Sequence, residues 1–405
     1  MYDILSSADF PDYSSFLDYY KTELLREPPQ GLQLWFQYAK EQRCTLSQVY
    51  YSRIERELAR FRFSGISPDD VQVARSLPNI WAFSFQAGKV TAVGGGMPEY
   101  GSLFQPIAVL IPNITIVVNA LDEPRIPFSN IHNLSGPFSV PYGEDVRGIL
   151  NGSCNTDFWS KSNDSHGFFT STISFNVFIP EHRPIPIFSQ CTLDECFMDI
   201  TLPSYHFLDF AYRADQDWKP WREKHKTDLF WRGAGSGTCA TVTGNWRGTQ
   251  RFRLIHQARQ QSEYDVKMTD NGPCFPTSIC DEEFNEYVTP DKLPYRRHFD
   301  YKYLLDIDGN SFSRSLLPKL RSNSLVLRVF TFDVFFDDFI ISEEHYISTK
   351  LDDLPLKYKE MKIPDSGAEE IAFEAFRTAT RYLRIEDMRC YMARLLIEYE
   401  ALLLK

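Results

Sequence analysis

The sequence predicts an α/β protein of two α/β blocks facing a cleft, preceded by a helical stretch and closed by a C-terminal helix. Three patterns predict this. In residues 1–80, apolar positions recur at spacings of three and four, as in residues 34–39 and 49–61, the periodicity of an amphipathic helix. From about residue 80 the chain carries short β-branched runs that end in polar residues, as strands buried on both faces do. Near the end, Met388, Tyr391, Met392, Leu395, Leu396 and Tyr399 form one apolar stripe at helical spacing. The boundaries drawn are 1–80, 81–225, 226–375 and 376–405.

Taken in order, Pro28-Pro29-Gln30-Gly31 interrupts the helices around it. Residues 81–85 and 89–93 read as strands around a turn. Residues 107–111 and 114–118 read as buried strands, the second running into Asn119-Ala120-Leu121-Asp122-Glu123-Pro124-Arg125. Ligands of open α/β sheets gather beyond the carboxyl ends of the strands, which draws attention to Asp122. Residues 130–180, rich in Asn, Ser, Gly and Pro, read as loops. Residues 228–231 form a strand that enters Arg232-Gly233-Ala234-Gly235-Ser236-Gly237-Thr238, and a helix rich in Arg and Gln follows from about residue 249. Residues 301–309 and 325–330 read as further strands. Ser366 and Glu369 have the spacing of a capping box for the helix that starts there.

Composition narrows the function. Of 405 residues, 43% are hydrophobic and 24% charged, and the net charge is −11. A nucleic-acid binder needs a basic face; the densest basic stretch, residues 221–226, is broken by Glu223, so no nucleic-acid partner is expected. Eight cysteines without paired Cys-x-x-Cys spacing argue against a zinc site. Even cysteines and sequons at Asn113, Asn133, Asn151 and Asn163 suit an oxidising, secretory compartment. Residues 1–16 are acidic and lack an apolar core, which predicts no signal peptide. No apolar run reaches spanning length. The expectation is the ER or Golgi lumen if an anchor is missing from this chain, and the cytoplasm otherwise.

Three segments offer chemistry. In residues 232–238, glycines allow close approach of the backbone to a diphosphate and Arg232 offers a planar fork of donors; a plain glycine-rich turn beside a surface ion pair is the other reading. In Asp306-Ile307-Asp308-Gly309-Asn310-Ser311-Phe312-Ser313, two carboxylates could hold a metal, but Asp308 capping the following helix beside a nucleotide is preferred. Asp122 suits a general base; it suits an ion pair with Arg125 equally well.

Together these segments resemble the capsule-associated-protein family, glycosyltransferase family 90, which includes the protein O-glucosyltransferases, and most closely its fungal members. The resemblance runs from Pro28-Pro29-Gln30-Gly31-Leu32-Gln33-Leu34-Trp35 through the Asp122 segment, residues 186–203, Phe230-Trp231-Arg232-Gly233 and residues 303–313 to Tyr382-Leu383-Arg384-Ile385-Glu386-Asp387-Met388. It implies two Rossmann-like domains of GT-B type, 81–225 on the acceptor side and 226–375 holding the donor. It implies inverting transfer of a glucose- or xylose-type sugar from a UDP-sugar to a protein or glycan hydroxyl, with no cofactor and no essential metal. Asp122 would be the base, supported by Arg125. Arg232, Gly233, Ser236, Gly237 and Thr238 would hold the diphosphate, and Asp308, Gly309, Asn310, Ser311, Phe312, Ser313 and Arg314 would line the nucleotide pocket. Three departures fall in the donor half. Arg314-Ser315 stands where the family has an Arg one position later, Val334 stands where it has a ribose-binding Glu, with Asp333 beside it either substituting or not, and Ser342-Glu343-Glu344-His345 replaces Pro-Trp-x-His. The alternative is therefore a diverged member of weak or no activity that binds glycan or a partner.

Overall fold

Two five-stranded sheets organise the chain in the computed structural model, which describes residues 5, 10–128, 135–150, 153–154, 166–172, 175–181, 184–208, 218–239, 241, 244–270, 272, 284–364 and 367–403. The first sheet has the order β2-β1-β3-β6-β7, with β1 Ile80–Gln86, β2 Lys89–Val93, β3 Ile114–Asn119, β6 Phe188–Ser189 and β7 Ile200–Thr201. The predicted pair at its edge is present. Ala87 and Gly88 both have positive φ (48° and 74°), as a two-residue turn between twisted strands requires. The sheet is mixed: β1 is antiparallel to β2 and β3, while β3, β6 and β7 run parallel. The expectation of two parallel, Rossmann-like sheets is corrected here. A fully buried strand shows the same apolar run whichever way its neighbours point.

Two further expectations change. Residues 107–111 are not a strand; they end the helix Met97–Ile107 and make the 3-10 turn Ala108–Leu110. Tyr100, Leu103, Phe104 and Ile107 are all buried at helical spacing, and a short apolar run cannot reveal that by itself. The region read as loops contains an antiparallel pair, β4 Gly136–Val140 with β5 Phe175–Ile179. Of the four sequons, Asn133, Asn151 and Asn163 lie outside the described residues.

The second sheet is parallel throughout, in the order β12-β11-β10-β8-β9, with β8 Lys226–Ala234, β9 Tyr264–Asp270, β10 Tyr301–Ile307, β11 Leu325–Val329 and β12 Ile347–Ser348. From β8 the chain steps outward to β9, then returns to β10 and proceeds the other way. The order therefore reverses between β8 and β10, and such a reversal opens a crevice at the carboxyl ends of those strands.

The N-terminal helices Tyr13–Leu24, Leu32–Glu41 and Gln48–Arg62 pack with the first sheet and the helix Ile385–Glu400 in one apolar cluster that also takes in Leu316, Leu320 and Val326. All six residues of the predicted C-terminal stripe are buried. Trp35 donates its indole N–H to the Cys390 carbonyl at 2.9 Å. The helix Ala368–Tyr382 starts after Gly367, whose φ is 79°, with no side-chain cap bond; Ser366 of the expected capping box lies outside the described residues. No described helix is long and apolar enough to cross a membrane.

Among the described residues two disulfides are formed, Cys44–Cys390 and Cys154–Cys196. The first ties the helical N-terminal region to the last helix across 346 positions. Closing so long a loop restricts the unfolded chain. Replacing Cys44 and Cys390 together by Ser is expected to lower unfolding free energy by about 3 kcal/mol. Urea denaturation under non-reducing conditions measures this, and an unchanged midpoint would contradict it.

Candidate functional site

The carboxyl end of β3 is shaped by its own last residue. Asn119 is buried; its amide donates to the Glu123 carbonyl at 2.7 Å and accepts the Leu121 N–H at 3.0 Å. The chain is thereby folded back so that Asp122 projects from the bend. Below it, Asp199 accepts the backbone N–H groups of Arg125 and Ile126, both at 2.8 Å; burial pushes this carboxyl up to about 6. Arg125 does not pair with Asp122. Its guanidinium is buried on the Asn176 and Pro78 carbonyls and Asn119 Oδ1, so it supports the loop from beneath.

Asp122 instead faces the second sheet. Asn310 Nδ2 donates to Asp122 Oδ2 at 3.0 Å, and His206 Nε2 lies 4.0 Å from Oδ1. The side chain remains 39% exposed, open enough to meet a substrate hydroxyl. The loops after β3 and β10 thus meet at Asp122 and Asn310, bringing together two segments 188 positions apart.

On the second sheet, the crevice between β8 and β10 holds a residue that inspection of the motifs missed. Arg251, in the first turn of the helix Gln250–Ala258, is 9% exposed. It donates to the Asp308, Ala234 and Ile307 carbonyls and to Ser236 Oγ at 2.6–3.1 Å. Among the described residues no carboxylate lies within ion-pair distance. Burial pulls its pKa down to about 10, with Asp308 and Asp306 acting against that at longer range. A buried guanidinium held only by neutral oxygens is costly; four of its five N–H groups are engaged, which leaves one that could meet an anion. Gly309 lies over it: a Cβ there would stand 3.0 Å from Arg251 Nη2. Arg314 is exposed, and its charge is felt by Arg251 and by Tyr205, so a second cation stands at the mouth. The signal that could have found Arg251 is its position just inside the helix that follows the glycine loop.

Arg232 is corrected. Its guanidinium donates to Asp265 Oδ1 at 2.6 Å, to Asp291 Oδ2 at 3.1 Å and to the carbonyls of Trp231, Asp265 and Asp291, and its side chain is 4% exposed. Those five bonds engage all its donors. It fastens β8 to β9 and has none left for a diphosphate. The glycines are reassigned in part as well. A Cβ on Gly233 would strike the Trp231 indole at 2.4 Å, one on Gly237 the Gly309 carbonyl at 2.2 Å, and one on Gly167 the Gly237 carbonyl at 1.6 Å. They permit close contact of backbones and rings within the protein. The Gly237 N–H donates to Asn310 Oδ1 at 2.9 Å, and Thr238 is buried beneath.

In the 308–314 loop, Ser311 is buried and Phe312 packs against His206 and Phe207. Ser313 Oγ donates to Asp306 Oδ1 at 2.6 Å, which also takes Lys319 Nζ at 2.7 Å; Asp306 is a buried ion-pair partner. Asp308 does not cap the following helix. It accepts the Thr331 and Phe332 N–H groups at 2.7 and 3.1 Å, holding the turn after β11. Asp333 pairs its backbone with Thr192 in both directions, and the charges that act on it are those of Asp194, Arg53, Asp337 and Arg328; it is corrected from a ribose contact to a residue of the seam between Thr192 and the N-terminal helices. Val334 is buried, and His345 bridges the Ile341 N–H and Thr378 Oγ1, both at 3.0 Å.

His166 was not foreseen. Fully buried, it accepts the Phe168 N–H at Nδ1 and turns Nε2 towards Asp308 Oδ2 at 3.8 Å. Burial depresses it to about 3 and pushes Asp308 up to about 7. For Asp308 the sign follows: stability from its raised pKa is present below the unfolded value of 3.8 and lost as pH rises through about 7. Asp308→Asn removes that loss. The variant is expected to gain on the wild type by on the order of 2 kcal/mol between pH 5 and pH 8, read from urea midpoints; a difference independent of pH would contradict it.

The family model for glycosyl transferase family 90 matches residues 172–405, more than half of the chain, beginning after the Asp122 loop. The O-glucosyltransferase rumi of Drosophila melanogaster is 30% identical over 191 residues, covering 45% of this chain and 42% of that protein. The chain thus spans less than half the length of this curated relative. On the family match, the chain belongs to glycosyl transferase family 90.

Proposed function

We propose that the chain is an inverting glycosyltransferase that moves a glucose- or xylose-type sugar from a UDP-sugar to a protein or glycan hydroxyl. The observation that carries this reading is Arg251, a buried cation without a carboxylate partner among the described residues, held on the carbonyl of Asp308 in the same loop whose Asn310 bonds to Asp122. In this reading the diphosphate lies over Gly309 and Ser236, against Arg251 and the exposed Arg314. Asp122 takes the proton of the acceptor hydroxyl while the anomeric carbon–oxygen bond to UDP breaks, and the new bond forms from the opposite face. Asn310 orients Asp122 and links the base to the donor loop. The negative charge that grows on UDP is met by the two arginines, so no metal is required. The disulfides suit an oxidising, secretory compartment.

Kinship with a named O-glucosyltransferase supports transfer of glucose to a hydroxyl oxygen. The test is a donor screen with UDP-glucose and UDP-xylose, following UDP release with and without a hydroxyl acceptor. Turnover of either, unaffected by EDTA, is expected. No turnover of any UDP-sugar by protein that binds UDP would favour the alternative of a glycan-binding relative.

A further inference from the structure

The amino ends of the second sheet, opposite the cleft, carry a separate groove of about 880 Å³. Its walls come from the segments just before β8 (Trp218, Trp221), the start of β10 (Lys302), the turn before β11 (Asn323) and the first turns of the helix Ala368–Tyr382 (Glu370, Phe373). A seven-residue parallel strand at about 3.3 Å per residue separates it from the Arg251 crevice by roughly 20 Å.

Four features define what fits there. Trp218 is 46% exposed and rests on Phe376 at 5.0 Å between ring centroids, and Phe373 is 51% exposed. Two large ring surfaces are therefore open on one groove, where a soluble surface normally keeps them covered. Asn323 is 6% exposed and lines the groove, yet its Oδ1 has no hydrogen-bond partner among the described residues; a buried acceptor of this kind calls for a donor. The cations are already engaged: Arg222 faces Glu369 at 3.5 Å, Lys362 pairs with Glu263 at 2.5 Å, and Lys302 sits over the Trp221 ring at 5.1 Å. The exposed carboxylate of Glu370 adds a second acceptor.

Open ring faces, an exposed carboxylate, a buried acceptor without a partner and, among the described residues, lining cations that each already face a carboxylate or a ring favour a neutral ligand with an apolar face and hydroxyl donors. We infer that this groove is a second carbohydrate site, which takes a short neutral β-linked oligosaccharide. Equatorial linkages leave a flat C–H face on each sugar ring, suited to Trp218 and Phe373, while ring hydroxyls donate to Asn323 Oδ1 and Glu370. An anionic ligand would meet the exposed Glu370 carboxylate, and of the lining cations Arg222 and Lys362 are already paired with Glu369 and Glu263. The site is independent of the donor cleft and would hold a glycan at a distance from Asp122.

The test uses the full chain and cellohexaose as the probe, titrated by calorimetry and by tryptophan fluorescence. The wild type is expected to bind with a Kd of about 0.5 mM. Trp218→Ala is expected to weaken binding at least about tenfold, and Phe373→Ala about fivefold. Asn323→Gly, chosen because Asn323 has a φ of 57° that glycine tolerates, is expected to weaken it about tenfold. UDP affinity should be the same in all four proteins, which also reports that each is folded. No binding by the wild type at roughly 10 mM, or equal binding by Trp218→Ala, would overturn the inference. If cellohexaose binds as stated but UDP does not, the donor reading falls and the groove stands.

Discussion

Asp122→Asn is expected to abolish sugar transfer while leaving UDP binding intact. The substitution keeps the size of the side chain and an oxygen that can accept from Asn310 Nδ2, the 3.0 Å bond that ties the loop to the donor side. The turn itself is held by Asn119 and by Asp199 beneath it, neither of which is touched. What is lost is the ability to accept a proton. General-base contributions are typically 100- to 10,000-fold, and in an inverting reaction a single group carries that role, so a loss of about a thousandfold in kcat is expected. UDP affinity, measured by calorimetry, should change by less than about twofold. Retained transfer would remove Asp122 from the role of base. A parallel fall in UDP affinity would show that Asp122 belongs to the donor site instead.

Arg251→Met is the second large effect, on donor binding. The guanidinium lies 5.4 Å from the Trp231 ring centroid, and a methionine of similar length keeps contact with that indole. The charge is removed from the crevice between β8 and β10, and with it charge-assisted bonds that would cost about 2–3 kcal/mol to lose. UDP affinity is expected to fall about a hundredfold. Some loss of melting temperature accompanies it, because four acceptors on both loops lose their donor. Arg232→Met separates that structural effect from binding. Its guanidinium joins β8 to Asp265 and Asp291, so it should lower the melting temperature and leave UDP affinity within about twofold. Arg251→Lys, with the charge but without the planar fork, should fall between wild type and Arg251→Met.

The contrast between these two arginines shows how far the sequence could be read. Arg232 lies in β8 and Arg251 in the helix after it, and nothing local distinguishes one bound to carboxylates from one left open. The partners of Arg232 lie 33 and 59 positions away, and only the parallel pairing of β8 with β9 brings Asp265 beside it. Arg251 is turned inward by the carbonyls of Ala234 at the end of β8 and of Ile307 and Asp308 at the end of β10, an arrangement that no motif encodes. Asp122, Asn310 and Arg314 were legible because each follows a strand whose uniformly apolar run marks its carboxyl end. His166 was not, since it comes from a segment whose composition reads only as loop. At the level of the fold, β8, β10 and β11 were readable for the same reason as the site, and the last helix by its stripe. In the first sheet the antiparallel edge pair was legible as two strands around a turn, while the direction of β3 against its neighbours was not, because its nearly continuous burial erases the alternation that would betray an antiparallel neighbour. Residues 107–111 were misread because their helical periodicity is visible only when the run is extended back to Tyr100.

The measurement that bears most directly on the donor site is a calorimetric comparison of UDP, UMP and uridine binding to the wild-type protein. If Arg251 and Arg314 hold a diphosphate, UDP binds saturably in the micromolar range and each phosphate removed weakens binding by about tenfold or more. Equal binding of the three ligands, or no binding of UDP at millimolar concentration, would contradict it.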